Sequence, residues 1–274
     1  MNKRIPTLFV LMALATTSFL SCSKIIDWKN ITHNPKGNGC DVAEYHLPYY
    51  DDYSIPFPFL FKKKYDPSGK IVKEIDCSFW NISSPARLAH LELTLVRKER
   101  NLLFLDKYNQ FDTVMSAYLN NYGRVESLIG SDKLINYEEK IRSNKFFYAN
   151  NRLTAVETII TDADGNKTSQ LNSVSYDSYG NILSFRNNTY QYDYNRKANQ
   201  QFYVDDYMDY DNGYYLLQYL GYFPEVTNPL NIRVRVETTV FKENLINHSF
   251  DADNRLTSYQ FGNLGKATIL YHCK

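Results

Sequence analysis

Four groups of side chains in this sequence are capable of chemistry: its cysteines, its histidines, two acidic loops and a surplus of tyrosine. Cys22, Cys40, Cys77 and Cys273 include no Cys-x-x-Cys pair, which argues against a zinc ribbon or a thioredoxin-like couple. His33, His46, His90, His248 and His272 lack the His-Glu-x-x-His spacing of a zinc protease. His272 and Cys273 are adjacent, so a strand sends them to opposite faces and separates base from nucleophile. Cys40 and His46 can meet across a loop, but no third group to orient the base accompanies them. Asp162-Ala163-Asp164-Gly165-Asn166 has the outline of a calcium loop, yet an EF-hand needs Gly sixth and Glu twelfth. Here Gly is fourth and Ser173 twelfth, so the segment reads as a hairpin turn. Asp205, Asp206, Asp209 and Asp211 form a denser acidic stretch that a solvated loop accommodates without a ligand. With no Gly-x-Ser-x-Gly elbow and no phosphate-cradling glycine loop, no residue is assigned to catalysis, to a metal or to a cofactor. Glycan hydrolysis by paired carboxylates stays as an alternative, because only strand pairing decides whether two of them meet.

The tyrosines carry the remaining chemical signal: 24 of 274 residues. Tyr190, Tyr192 and Tyr194 alternate and line one face of a strand, and Tyr176 falls on a neighbouring strand. Together they would make a platform for sugar rings or an extended partner. The competing explanation is structural, since tyrosine packs its ring in a sheet and leaves its hydroxyl wet.

The elements that position these residues begin after a targeting segment. Lys3 and Arg4 precede an apolar run, Leu8 to Leu20, that is shorter than the about 20 residues of a membrane-spanning helix. Phe19-Leu20-Ser21-Cys22-Ser23-Lys24 resembles a lipoprotein signal, in which Cys22 receives diacylglycerol and becomes the mature N-terminus. The Ser after Cys22 resembles lipoproteins sent to an outer membrane, and Cys-Ser-Lys is common among those of the Bacteroidota. The organisation expected is a signal peptide over 1–21, a tether and irregular segment over 22–55, and a β domain over 56–274. Cys40, Cys77 and Cys273 then allow one disulfide in any of three pairings, favoured by export.

Within the β domain one short pattern recurs, an aromatic residue six positions before an aliphatic one with turn formers between. Tyr176-Asp177-Ser178-Tyr179-Gly180-Asn181-Ile182 and Phe250-Asp251-Ala252-Asp253-Asn254-Arg255-Leu256 are the clearest copies. Asp or Asn bonds the backbone two residues on, and Gly or Asn supplies the positive φ of a tight turn. Turns are expected near 66–70, 120–124, 149–152, 162–166, 177–181 and 251–255, with a degenerate copy over 192–198. Leu91 to Leu95, Leu102 to Leu105 and Ile232 to Val236 read as strands, whereas Pro56 and Pro58 exclude a central strand there and leave a lead-in or an edge. Leu216, Tyr219 and Leu220 share a helical face ended by Gly221, which predicts one short helix or plug near 214–221. The fold class expected is mainly β: a single large meandering antiparallel sheet, strongly curved or half-closed into a barrel.

The Tyr-Asp-x-x-Gly-Asn-Ile form, with Tyr190-Gln191-Tyr192-Asp193, resembles the YD repeats of Rhs-type proteins, hairpin units that coil into sheets. Together with the Cys22 signal, residues 60–274 resemble a Bacteroidota lipoprotein family of unknown function with a porin-like curved antiparallel sheet. That resemblance implies no catalytic residues. The balance of 31 basic and 30 acidic residues offers no basic face for nucleic acid. A spanning barrel is disfavoured, because Gln191, Asn195, Lys197 and Asn199 occupy one alternation and deny the strand an apolar face. The function expected is a lipid-anchored outer-membrane protein that binds a glycan, a peptide or an envelope partner without catalysis; a structural subunit of an outer-membrane complex is the other alternative.

Overall fold

The computed structural model describes residues 40–50, 56–81, 87–108, 112–130, 141–203, 212–237, 242–262 and 265–273. The signal segment, Cys22, most of the tether and Asp205 to Asp211 lie outside the described residues. The strands are β1 Cys40–Tyr50, β2 Pro56–Tyr65, β3 Val72–Asn81, β4 Arg87–Lys98, β5 Asn101–Asp106, β6 Thr113–Leu119, β7 Val125–Gly130 and β8 Ile141–Ala149. They continue as β9 Arg152–Thr161, β10 Lys167–Tyr176, β11 Ile182–Phe185, β12 Asn188–Asp193, β13 Ile232–Glu237, β14 Lys242–Phe250, β15 Leu256–Phe261 and β16 Gly265–Cys273. Helices α1 Asn212–Tyr219 and α2 Pro224–Thr227 fall between β12 and β13.

Five turns share one hydrogen-bond pattern that follows directly from their residues. Asp66, Asn120, Asp162, Asp177 and Asp251 each accept, on a side-chain oxygen, the N–H four residues on, at 2.8–3.1 Å. Their carbonyls accept the N–H three residues on, from Gly69, Gly123, Gly165, Gly180 and Asn254, all at positive φ. The aromatic–aliphatic spacing is a pair of facing residues: Tyr65↔Val72, Leu119↔Val125, Tyr176↔Ile182 and Phe250↔Leu256. In the first copy the partner is Val72 rather than Ile71. The turn at Asn150-Asn151 is shorter, with φ of 49° and 62°, so Tyr148 rather than Phe147 faces Leu153.

Each strand pairs antiparallel with its sequence neighbours, and β1 pairs with β16, so the sheet closes into a barrel. A half-closed sheet was one expectation, and closure corrects it. Opposed edges are satisfied by each other, and the disulfide Cys40–Cys273 ties the seam. Among the described residues Cys77 is the free cysteine, buried in the wall. The barrel also begins before the expected boundary at 56, since Cys40–Tyr50 pairs on both sides. A bulge between Val42 and Glu44 breaks the alternation that would have marked this strand. Pro56 and Pro58 lie where the register of β2 runs with β1, and pairing with β3 starts at Leu60, so the missing N–H groups suit a strand end with one neighbour.

The degenerate copy is a turn with an insertion. Asp193 accepts from the N–H of Asn195 and faces Ile232, whose N–H reaches the Arg196 carbonyl. The chain between leaves the wall and returns. Helix α1 ends as expected at Gly221, φ 82°, with its N–H on Gln218 and that of Tyr222 on Leu217. Phe202, Tyr203 and the two helices of this insertion pack inside the lumen. Its rings meet wall rings all round: Phe202 on Tyr45, Tyr219 on Phe61, Phe223 on Phe146, Tyr214 on Phe185 and Tyr203 on Tyr259, with centroids 4.9–5.7 Å apart. Phe223 and Leu216 are fully buried, and truncating such a phenylalanine costs about 3–5 kcal/mol.

Ion pairs run along the outer wall beside exposed Ile129, Ile141, Leu183 and Leu270, whereas the lumen is lined mainly by apolar and aromatic side chains around Arg233. Lys62 pairs with Glu44, and Lys64 and Lys107 both reach Glu74 and Glu92 at 2.9–3.7 Å. Lys145–Glu157 and Lys242–Glu237 continue this surface on β8–β9 and β13–β14. Tyr108, Lys107 and Lys64 hold the Glu92 carboxyl down to about 2. A lipid-facing wall needs apolar residues at alternate positions; the positions named here carry ion pairs instead.

Candidate functional site

The four tyrosines expected to form a platform do not share a solvent face. Tyr190 and Tyr192 are 3% and 6% exposed and point into the lumen, where the Arg233 guanidinium lies 4.3 and 5.9 Å from their ring centres. Tyr176 is half-buried under Arg152, while Tyr194 is exposed and stacks on Tyr179 at 4.9 Å. Tyr176 and Tyr192 belong to a wider set of tyrosines whose hydroxyls act between repeats. Tyr148, Tyr176, Tyr192 and Tyr271 donate to the carbonyls of Val125, Leu153, Ile182 and Leu256 at 2.7–2.9 Å, each the residue that follows a neighbouring turn. The residue before that carbonyl stacks on the same tyrosine in three cases: Arg124 on Tyr148, Arg152 on Tyr176 and Arg255 on Tyr271. In the remaining case it is Asn181, which donates to Asp177 and Asn231 instead. Only tyrosine joins a packed ring to a donor at that distance, which accounts for part of the tyrosine surplus.

Of the remaining sequence candidates, Asp162, Cys40, Cys77, His272 and Cys273 resolve as structure, while His33, the His90 side chain and Asp205 to Asp211 lie outside the described residues. Asp162 is the turn residue expected. Cys40 and Cys273 are bonded, with Arg255 Nη1 2.6 and 2.9 Å from their sulfurs. His272 stacks on Tyr65, and burial pushes the Cys77 thiol well up. Among the described residues, no three His, Cys, Asp or Glu side chains gather as metal ligands.

The opening in the wall lies elsewhere, between β13 and β14. Their ladder runs from Glu237↔Lys242 to Arg235↔Asn244 and stops. At that height both strands are bulged. Val234 is the extra residue of β13 against β12, between the pairs Gln191↔Arg235 and Tyr192↔Arg233. Asn247 and His248 of β14 together oppose the single Tyr259 of β15, and Asn247 sits at φ 53°. Facing bulges bend the strands apart and leave a cleft of about 470 Å³ lined by Gln191, Arg196, Arg235, Asn244, Asn247 and His248 over an apolar floor of Val234, Leu245 and Ile246. Sequence reading missed this cleft; Asn247, a residue type that tolerates positive φ, was its one local signal.

His248 Nε2 lies 3.0 Å from the Arg233 carbonyl, so this nitrogen carries the proton and Nδ1 is left as an acceptor. Burial and the nearby Arg196 lower its pKa, against the raising effects of that carbonyl and Asp193. Arg196 pairs with Asp193 at 2.6 Å and Arg235 with Glu237 at 3.4 Å, which leaves the cleft polar rather than strongly cationic. No lining side chain is a carboxylate, so the pair that glycoside hydrolysis uses is not in this lining. Amides, guanidinium donors and an imidazole acceptor over an apolar floor match a ligand dense in hydroxyl groups.

No family model matches the chain, and no curated protein matches it. Its fold is shared by a porin-like protein from Bacteroides uniformis, a crystal structure aligned over 85% of this chain and 98% of that one with a TM-score of 0.52 and 13% identity. A porin-like protein from Bacteroides vulgatus aligns over the same shares at 14% identity with a TM-score of 0.33, too low to support an argument about fold.

Proposed function

We propose that this chain is a lipid-anchored, non-enzymatic barrel of the cell envelope that binds a hydroxyl-rich ligand, a glycan, in the β13–β14 cleft. The observation that carries the reading is the pair of facing bulges, which opens a polar cleft in the wall. The lumen is occupied by the chain's own insertion, so the barrel presents its outer surface to partners rather than a passage. Cys22 supplies the anchor in the outer membrane, and the charged wall suits a body held in water beside it. The porin-like description of the Bacteroides neighbour is in keeping with an envelope setting, but the lumen and wall chemistry described above favour a tethered barrel over a channel.

The test is a glycan array probed with the full-length protein, followed by titration of any hit against Gln191→Ala/Asn244→Ala. Both residues are exposed, so the variant keeps the fold. Loss of at least about tenfold in affinity supports the cleft, and unchanged affinity excludes it. No binding to any glycan defeats the reading. Cys22→Ala should release the protein from membranes; retention would contradict the anchor.

A further inference from the structure

Among the described residues, β10 is paired on one side only for part of its length. β10 pairs with β9 without interruption from Lys167↔Thr161 to Ser173↔Ala155, but with β11 only through Val174, Ser175 and Tyr176. β11 is four residues long and turns back at Arg186, which leaves a notch beside residues 167–173. Lys167 through Leu171 are consecutively exposed, so both faces of this stretch meet solvent. A bare strand edge is a template for another strand, and proteins guard such edges with proline, bulges or charge. Lys167-Thr168-Ser169-Gln170-Leu171-Asn172-Ser173 has no proline, no register shift and a single charge at its end.

We propose that this edge pairs with the same edge of a second copy of the chain, antiparallel about a two-fold axis at Gln170. In that register Lys167 faces Ser173, Thr168 faces Asn172, Ser169 faces Leu171 and Gln170 faces itself. The sequence selects this occupant through its charge pattern. Self-pairing sets no like charges opposite each other, and the two lysines lie about 20 Å apart, at opposite ends of the paired stretch. Shape agrees, because the segment that protrudes and the notch beside it are the same seven residues, so each copy fills the other's notch. The contact is isologous and closes after two copies, which consumes both edges instead of propagating a fibre. Antiparallel pairing also directs the two barrels in opposite senses, with their disulfide ends far apart.

The experiment uses the full-length protein in detergent, followed by size exclusion with light scattering across a dilution series. Wild type should pass from dimer to monomer. Gln170→Lys and Gln170→Glu each set like charges opposite at the two-fold and should raise the midpoint about tenfold or more. Mixing the two variants should restore a heterodimer. Residue 170 is exposed, and an unchanged circular dichroism spectrum verifies that each variant folds. In membranes, Gln170→Cys should crosslink on oxidation well beyond wild type and beyond Asp164→Cys in the adjoining turn. A wild type that stays monomeric at all concentrations overturns the proposal. So do charge variants that dimerise like wild type, a mixture that fails to recover the dimer, and a crosslink no stronger than that of the control.

Discussion

Replacing both seam cysteines, Cys40→Ser with Cys273→Ser, should weaken the barrel without opening it. The bridge spans 233 residues, and the chain-entropy treatment of such a loop assigns it about 5 kcal/mol of lost denatured-state freedom near room temperature. Measured losses for native disulfides run about 2–5 kcal/mol. The seam keeps the β1–β16 register from Asp41↔His272 to His46↔Thr268, the hydroxyl contact of Tyr45 with Tyr259 at 3.0 Å, and the bond from the Tyr219 hydroxyl to the Ala43 carbonyl. Closure therefore persists, and the loss lies in the unfolded ensemble. With a urea slope of about 3 kcal/mol per molar, the unfolding midpoint should fall by about 1–2 M. Near-UV circular dichroism, dominated by tyrosines packed in the lumen, should stay native-like before the transition. A midpoint within about 0.3 M of wild type would refute the reasoning on energy, and loss of the near-UV signal in the absence of urea would refute it on closure.

Tyr192→Phe removes the donor to the buried Ile182 carbonyl and should cost about 1–2 kcal/mol in urea unfolding while leaving ligand affinity untouched. An affinity loss without a stability loss would restore the binding role first read from the tyrosine pattern. Burial and Arg196 hold the pKa of His248 below its ordinary value near 6.5, so the folded state resists a proton that the unfolded chain accepts. Stability from this group is present above pH 6.5 and is lost as pH falls below it toward the lowered folded value; His248→Gln should flatten melting temperature between pH 7.5 and 5.5. An unchanged slope in that variant would place the pH response elsewhere.

The turns were legible because their chemistry is local. An Asp or Asn at the start and a Gly or Asn three residues later dictate the same five hydrogen-bonded loops wherever they occur. The helix near 214–221 was legible for the same reason, through Gly221 and an apolar face. What depends on register was not. β1 was hidden by one bulge, closure depends on two strands at opposite ends of the sequence, and the pairing of Cys40 with Cys273 follows only from that closure. Tyr190, Tyr192 and Tyr194 were read as one face; Tyr190 and Tyr192 turn into the lumen while Tyr194, past the end of β12, is exposed, since alternation does not say whether a face is wet and tyrosine suits either. The cleft arises from two bulges that happen to face each other, a coincidence of two registers that Asn247 alone does not announce.

The insertion within the 193–232 turn also sets an order of events. Twelve strands precede it in the chain and four follow, while β1, the first of the described strands to emerge, needs β16, the last, as its partner. A body that occupies the lumen must be seated before the wall shuts round it. The open sheet therefore has to collect its own filling and then draw β13 through β16 across to β1, a step of high contact order and hence the slow one. Until then the edge of β1 stays exposed to any passing strand. The Cys40–Cys273 bond joins the two strands that meet at the seam, so in an oxidising compartment it locks the barrel once closure has brought them together.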